Sequence, residues 1–578
     1  MCGILGYTGL RNGTPIVHEG LKALAYRGYD SWGMAIHTAN GIIIQKGVGD
    51  ITKTSAMQIN SNKVVGHTRW ATHGGVTEAN AHPHTNKDKT VAVVHNGIIE
   101  NYAKLKKELE ENGYVFASQT DTEVIPQLID FSLKQGKTFQ QAFQYALGRL
   151  EGSYAIIATH AKEEGILFAR QGSPMVIGLG QNEYFVSSDI PSFLPHTKTI
   201  MHLEDGDYGS ITNKLEVYNK GKPVNRQPST AHWDIEVAKK GNYAHFMIKE
   251  INEQPLTIRK ALNQPAELIK QTALLLQNAS TVFLVGCGTS YNTCATASYQ
   301  FTKTGKQAIP VLASEFSQQL PFLNKKTAII AVSQSGETAD VIDAVKAAKQ
   351  KEAVVIAIVN VPSSTLARIS DVIIPMNSGP ELCVLATKTC TSTLAILSLI
   401  AYTLAGKDAG ILAEAADTSL HVLKQNQQTM PELAKQIANT QSMFTIGRGA
   451  LSQTAREAAL KIKEVSYIHA EGMPAGELKH GSIALIEEKM PVIVFADNET
   501  RALTTSNAME VKARGAYVIG VDSKPNPAYD FHIQIPDLDE ATPLLALLPI
   551  QLLSYYLALE RKCDPDKPRN LAKSVTVR

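Results

Sequence analysis

Cysteine is scarce in this chain: six residues in 578, at positions 2, 287, 294, 383, 390 and 563, with no CxxC pair and no histidines at zinc-finger spacing. That density excludes a disulfide framework and fits a reducing compartment, so a cytoplasmic protein is expected. An excess of charge of one sign is missing too, since 56 Lys and Arg against 54 Asp and Glu leave a formal net charge of +2. Nothing in that balance points to nucleic acid as a partner. A basic run such as Lys104-Leu105-Lys106-Lys107 has Glu108, Glu110 and Glu111 beside it and reads as a solvated helix face. The start has no basic segment followed by an apolar core, so no signal peptide is expected. Long apolar runs are lacking but for Pro543 to Leu559, nearly long enough to cross a bilayer. Pro543 and Pro549 would break up its start, and Gln551 and Ser554 interrupt it. It reads as a buried core helix, and no membrane partner is expected.

What is present is a globular composition, 44% hydrophobic, in a chain too long for one core, so two to four domains are expected. The opening Met1-Cys2-Gly3-Ile4-Leu5-Gly6-Tyr7 places a cysteine where removal of the initiator methionine makes it the N-terminal residue. Its thiol and its own α-amine then share one residue, and an α-amine with a pKa near about 8 can take the thiol proton. That is a nucleophile with a built-in base. The apolar run behind it reads as a first strand.

Several polar stretches follow. Leu24 to Ser31 is turn-rich, and Trp32 to His37 and Gly41 to Gln45 read as strands. Val64 to Gly74 is a strand running into a loop of hydrogen-bonding side chains, Arg69-Trp70-Ala71-Thr72-His73. Val91 to Val94 leads a second strand ending in Asn96-Gly97. An Asn-Gly pair is most often a hairpin turn; it can also set an amide beside a backbone N–H, as an oxyanion hole needs. Ser118 to Glu123 reads as a helix cap that leaves Asp121 free for a cation. These motifs, in this order over residues 1 to 215, resemble the glutaminase domain of the class II glutamine amidotransferases. The resemblance implies an α+β N-terminal-nucleophile fold of stacked antiparallel sheets between helices. It further implies that Cys2 attacks the glutamine carboxamide, that Asn96 and the Gly97 N–H hold the oxyanion, and that Arg69 grips the α-carboxylate. Thr72 and His73 would line the pocket and Asp121 would pair with the α-ammonium. Trp32 stands where that family commonly has a small residue.

Residues from about Asn213 to Thr230 have little apolar periodicity and read as a domain boundary, with a linker over 216–245. The segment from Ala244 then turns helical and stops at Pro255. Beyond it two segments about 160 residues apart share one pattern. Val282 to Ser290 is a buried strand, a Gly-x-Gly turn and a helix start, and Met443 to Ser452 repeats it. Strands alternate with helices after each, so two doubly wound parallel sheets are expected, over 246–425 and 426–578. A Gly-x-Gly alone does not make a dinucleotide site. The loop Ser333-Gln334-Ser335-Gly336-Glu337-Thr338, between a strand and a helix, is an anion cradle of hydroxyls and N–H groups. With no Lys or Arg in it, a monoester phosphate fits better than a polyphosphate.

This half resembles the paired sugar-isomerase (SIS) domains, and the whole chain resembles a family that aminates ketose phosphates. The resemblance implies glutamine and fructose 6-phosphate as substrates, glucosamine 6-phosphate as product, and no metal or organic cofactor. It puts ring opening on His480, the C1–C2 proton shuttle on Glu464 and imine formation on Lys573. Lys461 would stabilise enediolate-like charge and Glu457 would help hold it. Sugar and phosphate fall to Thr289, Ser290, Ser333, Gln334, Ser335, Thr338 and the Val384 backbone. Free ammonia is protonated near neutral pH, so an internal channel gated by Trp70 is expected, in a homodimer. Ala386 stands where the family usually offers a serine, and Ser482 where it has proline. Three rivals remain open: an amidotransferase for another keto-sugar phosphate, a non-catalytic sugar-phosphate sensor, and a glutaminase with a structural partner half.

Overall fold

The structure is a computed structural model describing residues 2–212, 214–231 and 240–576. It divides into two compact units, Met1–Val237 with Ala572–Arg578, and Ala238–Leu571.

The first unit is built on two antiparallel sheets. One runs in the order Ser229–Thr230, Thr199–His202, Val176–Gly180, Glu183–Ser187, Gly3–Gly9, Lys63–Arg69, Ser31–Thr38, Gly41–Val48. The other runs Lys222–Pro223, Leu215–Asn219, Asp207–Ile211, Ile166–Gln171, Gly152–His160, Val91–Ile99, His84–Thr85. Side chains alternate between faces along each strand, which is why the strands read as continuous apolar runs: both faces are covered. Ile4, Ala35, Val65, Ala92, Val94 and Ile157 fill the space between the sheets. Their neighbours Leu5, Met34 and Val64 meet helix Gly13–Ala23. Val91, Val93 and Ile156 meet helices Tyr102–Glu111, Val124–Lys134 and Phe139–Leu147. The stacked sheets between helices expected from the sequence are present.

Three local expectations are corrected here. Asn96-Gly97 is not a turn, because the strand continues to Ile99 with Gly97 paired to Tyr154. Gly97 has φ +125°, and a Cβ there would overlap the Ser153 carbonyl oxygen, so the position admits only glycine. The stretch read as a linker from 216 contributes three short strands to the sheets of this unit, up to Thr230. Its polar composition reflects edge strands, whose outward side chains face water. Asp121 is buried rather than free, and accepts the Ile99 N–H at 2.8 Å. Trp32 is accommodated by the glycine opposite it, since Trp32 pairs with Gly47 and its ring lies across that residue.

In the second unit two five-stranded parallel sheets share one topology. The strands Thr281–Gly286, Ala308–Leu312, Thr327–Ser333, Val354–Val359 and Val372–Pro375 lie in the order 2-1-3-4-5, counted along the chain. Ser442–Gly447, His469–Pro474, Pro491–Phe495, Tyr517–Asp522 and Phe531–Gln534 repeat that order. Each sheet turns one face to its own helices and the other to a common core. Val282 and Leu284 enter the common core while Phe283 and Val285 face away; Met443 and Phe444 divide in the same way. The expected boundary at 425/426 falls inside helix Gly410–Ile437, which packs in that common core, so the repeats are not joined by a linker. The end of the chain from Ala572 also departs from expectation and groups with the first unit.

Three prolines, Pro255, Pro543 and Pro549, behave differently from expectation. Helix Phe246–Leu262 runs straight through Pro255. The carbonyl that Pro255 cannot serve, that of Ile251, accepts Gln254 Nε2 at 3.1 Å, which removes part of the cost of the missing N–H. Helix Thr542–Glu560 is continuous, with Pro543 in its first turn, where a fixed φ favours initiation. It is long and apolar enough to cross a membrane, but its most apolar stretch is 89% buried inside the unit, the core helix expected.

A Cβ on Gly47 would lie 2.9 Å from Trp32 Nε1 and 3.0 Å from Cε2. Gly47→Ala is therefore expected to destabilise the first unit by about 1–3 kcal/mol through overpacking. Urea titration followed by tryptophan fluorescence checks this, because Trp32, Trp70 and Trp233 all precede residue 238. The shift should largely vanish when Trp32→Leu is combined with it.

Candidate active site

In the first unit the centre forms where strands Gly3–Gly9 and Lys63–Arg69 pair, since their register puts Gly3 opposite Thr68 and so brings Cys2 to Arg69 and Trp70. Cys2 Sγ accepts the Trp70 N–H at 3.3 Å and lies 3.4 Å from the Trp70 carbonyl oxygen. Burial pushes the thiol pKa up, against the pull of the Trp70 N–H and of Arg69. The Cys2 carbonyl is fixed by two donors, Asn96 Nδ2 at 2.8 Å and Arg27 Nε at 3.2 Å. Arg27 is in turn held by Asp189 at 2.8 Å, and Tyr26 shares the same carboxylate oxygen at 2.6 Å.

Arg69 is buried, and its two terminal nitrogens hold the loop that follows, donating to the carbonyls of His73 (2.5 Å), Gly74 (3.1 Å) and Gly75 (3.0 Å). Asp30 fixes the start of that loop by accepting the Ala71 N–H at 2.8 Å. Thr72 is exposed, and His73 is half-buried with its ring edge-on to Tyr102. The structure thus gathers Cys2, Asn96, Gly97, Arg69, Trp70 and Asp121, and leaves Thr72 on an open loop.

Beneath this centre lie four buried histidines that the sequence reading did not single out. His67 stacks on His82 with ring centroids 4.0 Å apart, and His82 meets His84 edge-on at 4.7 Å. His67 Nε2 donates to the His95 carbonyl at 3.0 Å, and the His95 N–H donates to His82 Nδ1 at 3.4 Å. His84 and His95 bond the hydroxyls of Thr120 (2.9 Å) and Thr122 (2.8 Å), the residues on either side of Asp121. Burial holds the pKa of all four below the ordinary histidine value, so the cluster is a neutral scaffold for Asp121 and Asn96.

In the second unit the loops 287–290 and 334–338 leave the carboxyl ends of neighbouring parallel strands, between the first and third strands of the sheet, where the strand order reverses. Open α/β sheets bind ligands at that crevice. Ser333 Oγ accepts the Gly336 N–H at 3.0 Å and bonds Thr338 Oγ1 at 2.9 Å, while Ser335 Oγ accepts the Glu337 N–H at 3.1 Å. Gly336, with φ +64°, packs so closely on Ser364 that no side chain fits. Helix Ala339–Gln350 follows, with no side chain capping its first turn. Its N–H groups, together with these hydroxyls, suit an anion.

Helix Ala450–Ser466 supplies the charged part. Lys461 is fully buried and lies 2.8 Å from Glu464 and 3.4 Å from Glu457. Thr289 Oγ1 donates to Glu457 Oε1 at 2.9 Å and accepts Lys461 Nζ at 2.9 Å, and Asn292 Nδ2 donates to Glu457 Oε2 at 2.8 Å. Burial presses the Lys461 pKa down, but the two carboxylates more than reverse it, so the ammonium stays charged. Glu457 has its pKa raised by burial, against the pull of Lys461 and Asn292. The Thr289 hydroxyl is therefore engaged with charged partners rather than open to a sugar. Ser290, Gln334 and Ser335 are half-buried at the crevice. The Val384 N–H is engaged by the Asp566 carbonyl at 3.2 Å. His480 ends the exposed turn Glu477–His480, and Lys573 belongs to the terminal segment that groups with the first unit.

Comparison with known proteins gives these two centres a context. The glutamine amidotransferase domain family matches residues 67–195, and the SIS domain family matches twice, at 275–403 and 436–561. The glutamine–fructose-6-phosphate aminotransferase (isomerizing) of Pyrobaculum aerophilum is 44% identical over 603 residues, with all of both chains covered. That of Pyrococcus horikoshii is 42% identical over 604 residues, again end to end. The chain belongs to this aminotransferase family. Among solved structures, the C-terminal domain of glucosamine-fructose-6-phosphate aminotransferase from Francisella tularensis matches with a TM-score of 0.53 and 30% identity, covering 57% of this chain and all of that one.

Residues beyond the motifs complete both centres of this aminotransferase family member. Arg27 and Asp30 stood in a stretch read only as turn-rich, and Asn292 lies one helical turn after Thr289. Nothing in the sequence marked them, because each acts on a partner distant along the chain. The histidines were visible as His82-Pro83-His84, and only the fold brings the others to them: strand His84–Thr85 pairs with Val91–Ile99, which carries His95, and His67 stacks on His82 from the other sheet.

The histidine cluster sets a pH dependence with a definite sign. Each ring is neutral in the fold and regains a proton on unfolding below a pH of about 6.5. The unfolded chain then binds more protons, so stability falls as pH drops below about 6.5, by up to about 1.4 kcal/mol per histidine per pH unit. Urea unfolding of the first unit at pH 7.0 and pH 5.5, followed by tryptophan fluorescence, measures the loss. His84→Gln should reduce the slope by about one proton.

Proposed function

We propose that this chain converts glutamine and fructose 6-phosphate to glutamate and glucosamine 6-phosphate, the entry step of amino-sugar synthesis. The observation that carries the reading is Glu464, a carboxylate in contact with a buried, charged Lys461 beside the anion-binding crevice. A carboxylate is the group needed to move a proton between two carbons, and a fixed ammonium stabilises the enediolate-like charge that develops on the way.

In this reading Cys2, unblocked at its α-amine, attacks the glutamine carboxamide. Asn96 Nδ2 and the Gly97 N–H stabilise the tetrahedral oxyanion, ammonia leaves, and water hydrolyses the thioester to glutamate. Arg69 and Asp121 take the α-carboxylate and α-ammonium, with Thr72 and His73 on the loop above. The Arg69 fork then exchanges loop carbonyls for a carboxylate of matching geometry. Trp70, whose main chain brackets the thiol, is the proposed gate for ammonia.

At the other centre Ser333, Gln334, Ser335 and Thr338 take the phosphate, with Ser290 and the Val384 main chain alongside. His480 opens the ring, Lys573 forms an imine at C2, and Glu464 carries the proton between C1 and C2. Ammonia replaces the lysine amine, so Lys573 is regenerated and no cofactor is consumed. Thr289 and Glu457 hold Lys461 in place. A homodimer in the cytoplasm is proposed with this reading, and size-exclusion chromatography with light scattering tests the assembly.

Cys2→Ala should abolish glutamine hydrolysis and covalent labelling by a glutamine-like diazo-ketone, while sugar-phosphate isomerisation persists. A residue inserted before Cys2 should do the same with the thiol intact; full glutamine-dependent activity in protein whose mass shows the extension would exclude the α-amine as base.

Lys573→Met should eliminate amino-sugar formation and leave slow glutaminase activity. Borohydride reduction with fructose 6-phosphate should attach sugar at Lys573 in the unaltered chain. Labelling that persists in the Met variant would assign the imine elsewhere.

A further inference from the structure

The C-terminal segment before Ala572 is fastened at two points, and both lead to the isomerase centre. At the first, the buried Asp566 carboxylate accepts the N–H groups of Phe246 (2.9 Å) and Met247 (2.8 Å), the first residues of helix Phe246–Leu262. The residue preceding that helix, His245, makes no capping bond, so this distant aspartate does the capping. A carboxylate there satisfies two otherwise unpaired donors and meets the positive end of the helix dipole. The Lys240 ammonium lies 3.5 Å away. The backbone carbonyl of the same residue accepts the Val384 N–H at 3.2 Å, and the neighbouring Pro565 carbonyl accepts Cys383 Sγ at 3.4 Å. Helix Phe246–Leu262 holds the same loop from its other side, because Glu250 Oε1 accepts the N–H groups of Leu382 (2.5 Å) and Cys383 (3.2 Å). The second fastening is Arg569. Its N–H donates to Tyr467 Oη at 2.7 Å, and its guanidinium lies 4.1 Å over the Tyr467 ring. Tyr467 is the left-handed cap that ends helix Ala450–Ser466, the helix bearing Glu457, Lys461 and Glu464.

We infer that Asp566 is a positioning residue for the sugar-phosphate site. One side chain sets where the helix at 246 begins, and its own backbone sets the height of the Cys383–Val384 loop against the crevice. The inference rests on the reading above that the Val384 stretch faces the sugar phosphate. It goes further in tying that loop, the start of helix Phe246–Leu262 and the C-terminal segment to a single carboxylate. Glu250 then works with Asp566: the helix that Asp566 anchors carries the carboxylate that grips the loop two residues away from its other anchor. A loop held on both sides keeps its contacts ready before the substrate arrives, so loosening it raises KM for the sugar and leaves the glutamine centre as it was.

The test is Asp566→Asn in the full chain. Asparagine keeps the size but offers one acceptor for two N–H groups and no charge. The KM for fructose 6-phosphate should rise about tenfold, as expected for loss of a charge-assisted bond, and the stabilisation of the second unit by that sugar in thermal melts should shrink. Asp566→Glu should recover part of the loss. The KM for glutamine and the rate of glutamine hydrolysis should not change. A lowered melting temperature with a sugar KM within twofold of the unaltered chain would overturn the positioning role and leave Asp566 as a helix cap alone. If Asp566→Asn does not accumulate, Glu250→Gln carries the same test from the other side of the loop, since Glu250 grips Leu382 and Cys383 from the helix that Asp566 anchors, and an unchanged sugar KM there overturns the proposal equally. An unaltered chain that makes no amino sugar would instead sink the functional reading itself, so the two failures are distinguishable.

Discussion

The buried ammonium of Lys461 is the constraint on which the second unit depends. Taking a charge out of water costs several kcal/mol, and only close, well-oriented partners repay it. Here the partners come from both repeats: Glu457 and Glu464 from the helix that carries the lysine, and Thr289 from the helix Thr289–Lys303 of the first sheet, whose Asn292 holds Glu457. The two repeats cannot separate, or slide by a turn, without leaving a charge alone in a dry place. The common hydrophobic core brings the repeats together, and the polar cluster selects the register in which they meet.

That arrangement explains how two similar halves take on different work. Both repeats have a Gly-x-Gly turn at the end of the first strand, and both place a polar loop after the third. In the first repeat the loop is Ser333 to Thr338, uncharged but for Glu337, whose carboxylate accepts the Thr365 N–H at 2.7 Å. In the second the corresponding loop holds Asp497, which caps Thr500, and the turn holds Arg448, bound to Asn507. The first crevice therefore suits an anion, while the second has spent its polar groups on itself. The second repeat contributes through its helix Ala450–Ser466, aimed across at Thr289.

The centre around Cys2 follows the same rule, with neutral imidazoles added to a few paired charges. Asn96 and Arg27 both bind the carbonyl of Cys2 and so fix that residue by its backbone, leaving the thiol to the Trp70 main chain. Four neutral imidazoles below are a costly set of buried polar groups, acceptable where they bond the hydroxyls and carbonyls that flank Asp121 and Asn96. Trp32, the departure noted in the sequence, is explained by volume, because Gly47 on the neighbouring strand leaves the space that the indole fills.

Much was legible from residues alone. The alternation of strand and helix after residue 280, and its recurrence 160 residues later, fixed two doubly wound sheets, because period and order survive in the one-dimensional pattern. The 457–461–464 spacing placed three charges on one helical face, because that is a property of the helix itself. The strand end at Asn96-Gly97, the helix stop at Pro255 and the linker from 216 differ from the structure, each for the same reason. Local propensity names the usual environment of a residue, and the fold supplied another partner: Tyr154 across the sheet, the neighbouring Gln254 side chain, the edge of an existing sheet. The roles of Arg27, Asn292 and Asp566 had no signal at all. Sequence by itself determined which elements form and which chemical groups they carry. Tertiary structure alone decided which groups meet and which are buried. Those facts set the charge state of Lys461, the neutrality of the histidines and the capping of a helix by a residue 320 positions away, because desolvation and pairing depend on neighbours in space.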